Sequence, residues 1–155
     1  MHEQFLQQAI DLAVENVRSG EGGPYGAVIV KSGLLIAASA NRVTRELDPT
    51  AHAEISAIRQ ACQKLNDFQL QGCILYASCE PCPMCLGAIY WARLEKVYFA
   101  CTRNDAAAAG FDDSVIYDEM AAAPSKRRIA MLHVNLPNAG LPFAVWAESE
   151  NKLPY

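Results

Sequence analysis

Two short segments constrain the fold of this chain more than anything else in it: His52-Ala53-Glu54 and Pro81-Cys82-Pro83-Met84-Cys85. Each carries groups that bind a metal ion, and neither completes a metal site alone. Cys82 and Cys85 stand three apart at the start of a helix predicted over 83–92. Positions three apart share one helix face, so both sulfurs can reach a single ion. The helix N-terminus, with its positive dipole end and unpaired N–H groups, stabilises the thiolates that such an ion requires. His52 stands at the start of a second helix, predicted over about 53–65, and offers an imidazole nitrogen as third ligand. A fold that uses both segments must bring two helix starts to one point.

Three protein ligands leave the fourth position of a tetrahedral zinc open, the pattern of a catalytic rather than a structural site. A water there drops to a pKa of about 7 and becomes hydroxide, a nucleophile. Glu54 follows His52 by two residues, so on a regular helix the two side chains diverge by about 200°. His52 can then face the metal while Glu54 faces the water and a substrate, taking the water proton and passing it to the leaving amine. A lone His at a helix start is usually a capping or solvated residue, and a lone C-x-x-C also occurs in redox and structural zinc proteins. Together, H-A-E and P-C-x-x-C form the signature of the zinc deaminases of nucleobases, with the Glu as acid and base and not as ligand. Cys79 adds a third cysteine at the same spacing, and a Cys₃His set would close the coordination sphere. It precedes Pro81 and falls at a strand end, where it reads as a small buried residue. Cys62, Cys73 and Cys101 read as packing. Glu80 reads as an acid favourable to a helix N-terminus.

The remaining chain supplies a scaffold for such a site. Its 155 residues suggest one domain spanning 1–155. A net charge of −4 argues against a protein whose affinity rests on neutralising phosphates. No apolar run is long enough for a membrane helix, and the N-terminus shows no signal peptide. A cytoplasmic protein is expected, its six cysteines reduced.

Apolar residues from Phe5 to Val17 recur at helical spacing, and Gly20 to Gly23 ends that helix. Ala27-Val28-Ile29-Val30 reads as a buried strand, and after the turn at 31–33 a second strand over 34–40 completes a hairpin. Strands are expected over 73–77 and 96–101. Weaker signals suggest helices over 115–120 and 143–149. Strands alternating with helices imply a three-layer α/β/α domain on a mixed sheet of about five strands.

With these residues in place, the sequence resembles the cytidine-deaminase-like superfamily, and closely its small bacterial guanine deaminases. The resemblance runs nearly end to end and is carried by GGPYGAVIV (22–30), NRVT (41–44), DPTAHAE (48–54), CILYASCEPCPMCLGAIYWAR (73–93), AGFDDS (109–114) and the tail Lys152-Leu153-Pro154-Tyr155. It implies hydrolysis of guanine to xanthine and ammonia, the zinc hydroxide attacking the purine carbon that bears the amine. By position, Asn41 would bond the purine edge, where an amide both donates and accepts; otherwise it is a turn residue after the second strand. Asp113 would be a second carboxylate near the amine. Spacing alone leaves open which of Asp112 and Asp113 faces inward, since the pair also makes a helix N-cap cluster; the resemblance favours Asp113. Tyr25 and Trp91 would wall the base pocket, with core packing the alternative for Trp91. Where Tyr25 stands the family tends to have another aromatic residue, so its hydroxyl is an addition. The resemblance also implies a homodimer that exchanges C-terminal segments, bringing Tyr155 over the partner's site; an arbitrary chain end would instead fray.

Two rivals share part of this reading. A tRNA adenosine deaminase or a cytosine deaminase would use the same zinc chemistry. The tRNA enzyme would need a basic surface, and this chain offers only Lys126-Arg127-Arg128 before an acidic-to-neutral tail. A non-enzymatic zinc module would have no use for Glu54 beside the metal.

Overall fold

The structure, a computed structural model, describes residues 2–155. These form two compact units, one ending at Asp113 and the other running Ser114–Tyr155.

The first unit is built on a sheet of four strands among the described residues, rather than about five. They are β1 (Gly26–Lys31), β2 (Leu34–Ala40), β3 (Cys73–Cys79) and β4 (Lys96–Cys101), in the order β2-β1-β3-β4. β1 pairs antiparallel with both β2 and β3, whereas β3 and β4 run parallel, so the sheet is mixed. Its helices are α1 (His2–Arg18), a single turn α2 (Val43–Glu46), α3 (Ala53–Leu65), α4 (Pro83–Trp91) and α5 (Arg103–Ala108).

The alternation of side chains along β1 and β3 sorts the core into two layers. Ala27, Ile29 and Leu75 pack with Ala53, Ala57, Ala61 and Ile89 on the α3–α4 side. Val28, Val30 and Tyr76 pack with Phe5 and Ala9 of α1 on the other. β1 is therefore buried on both faces, which its unbroken apolar run required. The closeness of α1 to the sheet depends on Gly26, where a Cβ would collide with the Ala9 carbonyl and come within 3.0 Å of the Ala13 nitrogen. Gly20, at φ +73°, ends α1 in the left-handed region.

One cysteine reading needs correction. Cys101 is exposed at the end of β4 instead of packed in a core. The carboxylate of Glu80 accepts a hydrogen bond from the Arg103 backbone N–H at 3.0 Å, an acid at a helix N-terminus as expected, here that of α5.

The second unit holds α6 (Ser114–Ala121), a 3₁₀ turn (Pro124–Lys126) and α7 (Leu141–Glu148). None of its described residues is buried, although Ile129, Leu132, Phe143 and Trp146 are large and apolar. No helix of the described residues is long and apolar enough to cross a membrane.

Candidate metal and substrate site

Both metal-binding segments meet at helix starts on the α3–α4 side of the sheet. His52 is the residue before α3 and Cys82 the residue before α4; both are extended (ψ 157° and 170°), and neither side chain caps its own helix. Their carbonyls instead open the helices, accepting from Ser56 at 2.9 Å and from Leu86 at 2.8 Å. A capping side chain at such a position contributes about 1 kcal/mol. Both positions forgo it, and their side chains turn to each other. Nδ1 of His52 lies 3.6 Å from Sγ of Cys82 and 3.4 Å from Sγ of Cys85. The candidate ligand atoms of His52, Cys82 and Cys85 all lie within 4.8 Å of one another.

One imidazole and two thiols, drawn together in this way, fit zinc. Hydrogen bonding from Cys85 and then from His52 holds the Cys82 thiol down at about 4. The shared proton and burial push Cys85 up, and the bond to Cys82 raises His52. Cys79 behaves differently. Its thiol donates to the Thr102 carbonyl at 3.5 Å, and burial, with Cys101 alongside, pushes it up to about 11. With its sulfur turned to that carbonyl, Cys79 stays outside the group of ligand atoms that His52, Cys82 and Cys85 form.

Around the metal ligands stand the other candidates. Glu54, in the first turn of α3, is only 6% exposed, and burial raises its carboxyl above the usual range. Asp113 is also raised, first by burial and then by the charge of Cys82, with Arg103 opposing. Tyr25 feels the charges of Cys79, Glu54, Asp113 and Cys82; burial first, and then these charges, push its phenol up to about 12. Asn41 is buried, its backbone N–H donating to the Tyr25 carbonyl at 3.0 Å while its side-chain Oδ1 accepts from the Val43 N–H at 3.2 Å.

Trp91 closes α4 with 66% of its surface exposed, six residues and so about 240° round the helix from Cys85. Tyr155 is exposed in the second unit. Phe111, inside the AGFDDS stretch but not singled out by its chemistry, meets the Tyr25 ring edge-on at 5.3 Å. An apolar cavity of about 480 Å³ opens beside Tyr25 and Cys79, walled by Ile10, Val14, Ala106 and Phe111. None of the metal ligands lines it, and neither does Glu54.

Residues 1–101 match the model of the cytidine and deoxycytidylate deaminase zinc-binding region. Over 154 residues the chain is 54% identical to guanine deaminase of Bacillus subtilis, covering 99% of each. The crystal structure of that enzyme superposes with a TM-score of 0.99 over 100% of this chain and 99% of its own. A tRNA-specific adenosine deaminase of Aquifex aeolicus is 47% identical over 98 residues, covering 63% of this chain and 64% of its own length. A solved guanine deaminase from Nitrosomonas europaea is 36% identical with a TM-score of 0.66, covering 70% of this chain and 63% of its own.

Proposed function

The chain belongs to the family of the cytidine and deoxycytidylate deaminase zinc-binding region, and we propose that it hydrolyses guanine to xanthine and ammonia. One observation carries the choice of base. The Aquifex tRNA enzyme matches 63% of the chain, whereas the Bacillus guanine deaminase matches 99% of it, a span that takes in the stretch around Asp113 as well as the metal segments.

His52, Cys82 and Cys85 would hold the zinc, which when bound supplies the Lewis acidity that makes water nucleophilic near neutral pH. Glu54 carries the proton. A carboxyl raised by burial both accepts and returns a proton more readily near neutral pH than an ordinary one. Asp113, the second raised carboxyl, holds the departing amine. Asn41 reads the purine edge with its amide, and the Tyr25 ring flanks the base. Tyr25 remains protonated throughout the neutral range, so among the acids of the site it is a donor.

The functional unit in this reading is a cytoplasmic homodimer in which each chain is one deaminase domain and gives its C-terminal segment to its partner. Tyr155 then covers the partner's site. The segment Ser114–Tyr155 supports this, because it buries none of its described residues and presents Phe143, Val145, Trp146 and Leu153 to solvent. The six free cysteines agree with a reducing compartment.

The test is ammonia release from guanine, adenine, cytosine, cytidine and a tRNA anticodon stem-loop. Guanine is expected to turn over fastest. An enzyme inert toward guanine and active on another of these would overturn the assignment of the base.

A further inference from the structure

Asn16, two residues before the end of α1, is a buried amide on a helix that contributes no group to the chemistry described above. Its Nδ2 donates to the Asn41 carbonyl at 2.8 Å and to the Gly23 carbonyl at 2.9 Å. Its own carbonyl accepts from Glu21 at 3.0 Å and from Gly22 at 3.4 Å. Gly22 completes the knot: a Cβ there would collide with the Asn41 carbonyl and stand 2.9 Å from Asn16 Nδ2. The Asn41 N–H then donates to the Tyr25 carbonyl. One side chain therefore ties the loop that carries Tyr25 to the backbone of Asn41.

We propose that Asn16 is a positioning residue for the nucleobase, fixing the Tyr25 ring and the Asn41 amide relative to each other without touching the base. The chemistry of the residue type supports this. A primary amide offers two N–H donors in a fixed fork, and here each meets a different backbone carbonyl. The loop it holds contains Gly20, Gly22 and Gly23. Such a loop has many conformations to lose, so its single native form needs a specific tie. A carboxylate of the same shape would set oxygen against two carbonyls. Because the knot holds the groups that recognise the base and not those that move protons, its loss acts on substrate binding.

The inference rests on the reading of Asn41 and Tyr25 as base contacts. It is tested on the full-length, zinc-loaded enzyme with guanine, comparing wild type with Asn16→Asp, Asn16→Ala and Asn16→Gln. Asn16→Asp and Asn16→Ala are expected to raise KM about tenfold and change kcat less than about threefold, with the zinc content unchanged. Asn16→Gln, which keeps both donors, is expected to recover part of the loss. In an Asn41→Ala background the KM penalty of Asn16→Asp should shrink, because the part that acts through the Asn41 amide is already lost and only the part that acts through Tyr25 remains. A lowered Tm with an unchanged KM would make Asn16 merely structural and overturn the proposal, as would a full KM penalty persisting beside Asn41→Ala. Should Asn16→Asp not fold, Asn16→Ala and Asn16→Gln decide by the same split. If wild type is inert toward guanine, the choice of base fails, and the comparison is repeated on whichever base turns over.

Discussion

Nδ1 of His52 lies 3.4 Å from Sγ of Cys85, joining side chains 33 residues apart in sequence. Neither group has a packing reason to seek the other. His52 gives up a capping role to make the approach, and Cys85 is fully buried beside it. His52→Ala and Cys85→Ser should therefore lose zinc as well as activity. Metal analysis should show zinc falling from about one per chain toward none, and ammonia release should fall more than about 100-fold, beyond the range of residues that only support a ligand. Zinc retained at full occupancy in both variants would refute the ligand set.

Glu54→Gln separates binding from proton transfer. The amide keeps the shape of a side chain that is only 6% exposed, but it cannot shuttle a proton. Zinc content should stay at the wild-type level while kcat drops by about 10²- to 10⁴-fold. Undiminished turnover would remove Glu54 from the mechanism.

The metal ligands were legible because their signal is chemical and local. His, Glu and paired Cys at fixed spacing mean the same thing in any fold that brings them together. Strands β1 to β4 were legible for a similar reason, as apolar runs between glycines and charges. What could not be read were contacts set by tertiary closeness. Asn16 looks like any polar residue near a helix end, and only the folded chain shows its fork on two carbonyls. Cys101 misled because a cysteine in an apolar strand suggests burial, although the end of β4 lies open.

Gly26 carries a stability prediction. It is the first residue of β1, where α1 crosses the sheet, and a Cβ there meets backbone of Ala9 and Ala13, which cannot move aside as a side-chain tip could. Gly26→Ala should destabilise the fold by about 1–3 kcal/mol, the usual cost of overpacking. Equilibrium denaturation would measure it, and an unchanged midpoint would show that α1 shifts freely on the sheet.

Tyr25 predicts how stability changes in alkali. Its phenol stands at about 12 in the fold against an ordinary 10.0, chiefly through burial. Because the folded value is the raised one, the stabilisation is complete below pH 10 and is lost as pH climbs toward 12. Melting curves between pH 9 and 11.5 should fall more steeply for wild type than for Tyr25→Phe. The same value predicts no change in activity from this group between pH 6 and 9. Parallel alkaline melting curves would show that the Tyr25 hydroxyl is not desolvated.

Exchange of the C-terminal segment can be tested by complementation. Removing residues 152–155 should cut activity about tenfold without releasing zinc, if Tyr155 closes over a site whose ligands lie elsewhere. That result alone would also fit a tail folding over its own subunit. The two cases separate when the truncated chain is co-expressed with Glu54→Gln. In an exchanged dimer, a mixed pair has one site with intact Glu54 covered by the intact tail of the other chain, and one site lacking both. Random pairing makes half the dimers mixed, so about a quarter of all sites regain wild-type composition. With the tail acting within its own chain, no site regains both parts and activity stays at the sum of the two variants. Recovery to about a quarter of wild type supports exchange, and its absence, with mixed dimers verified by mass, overturns it.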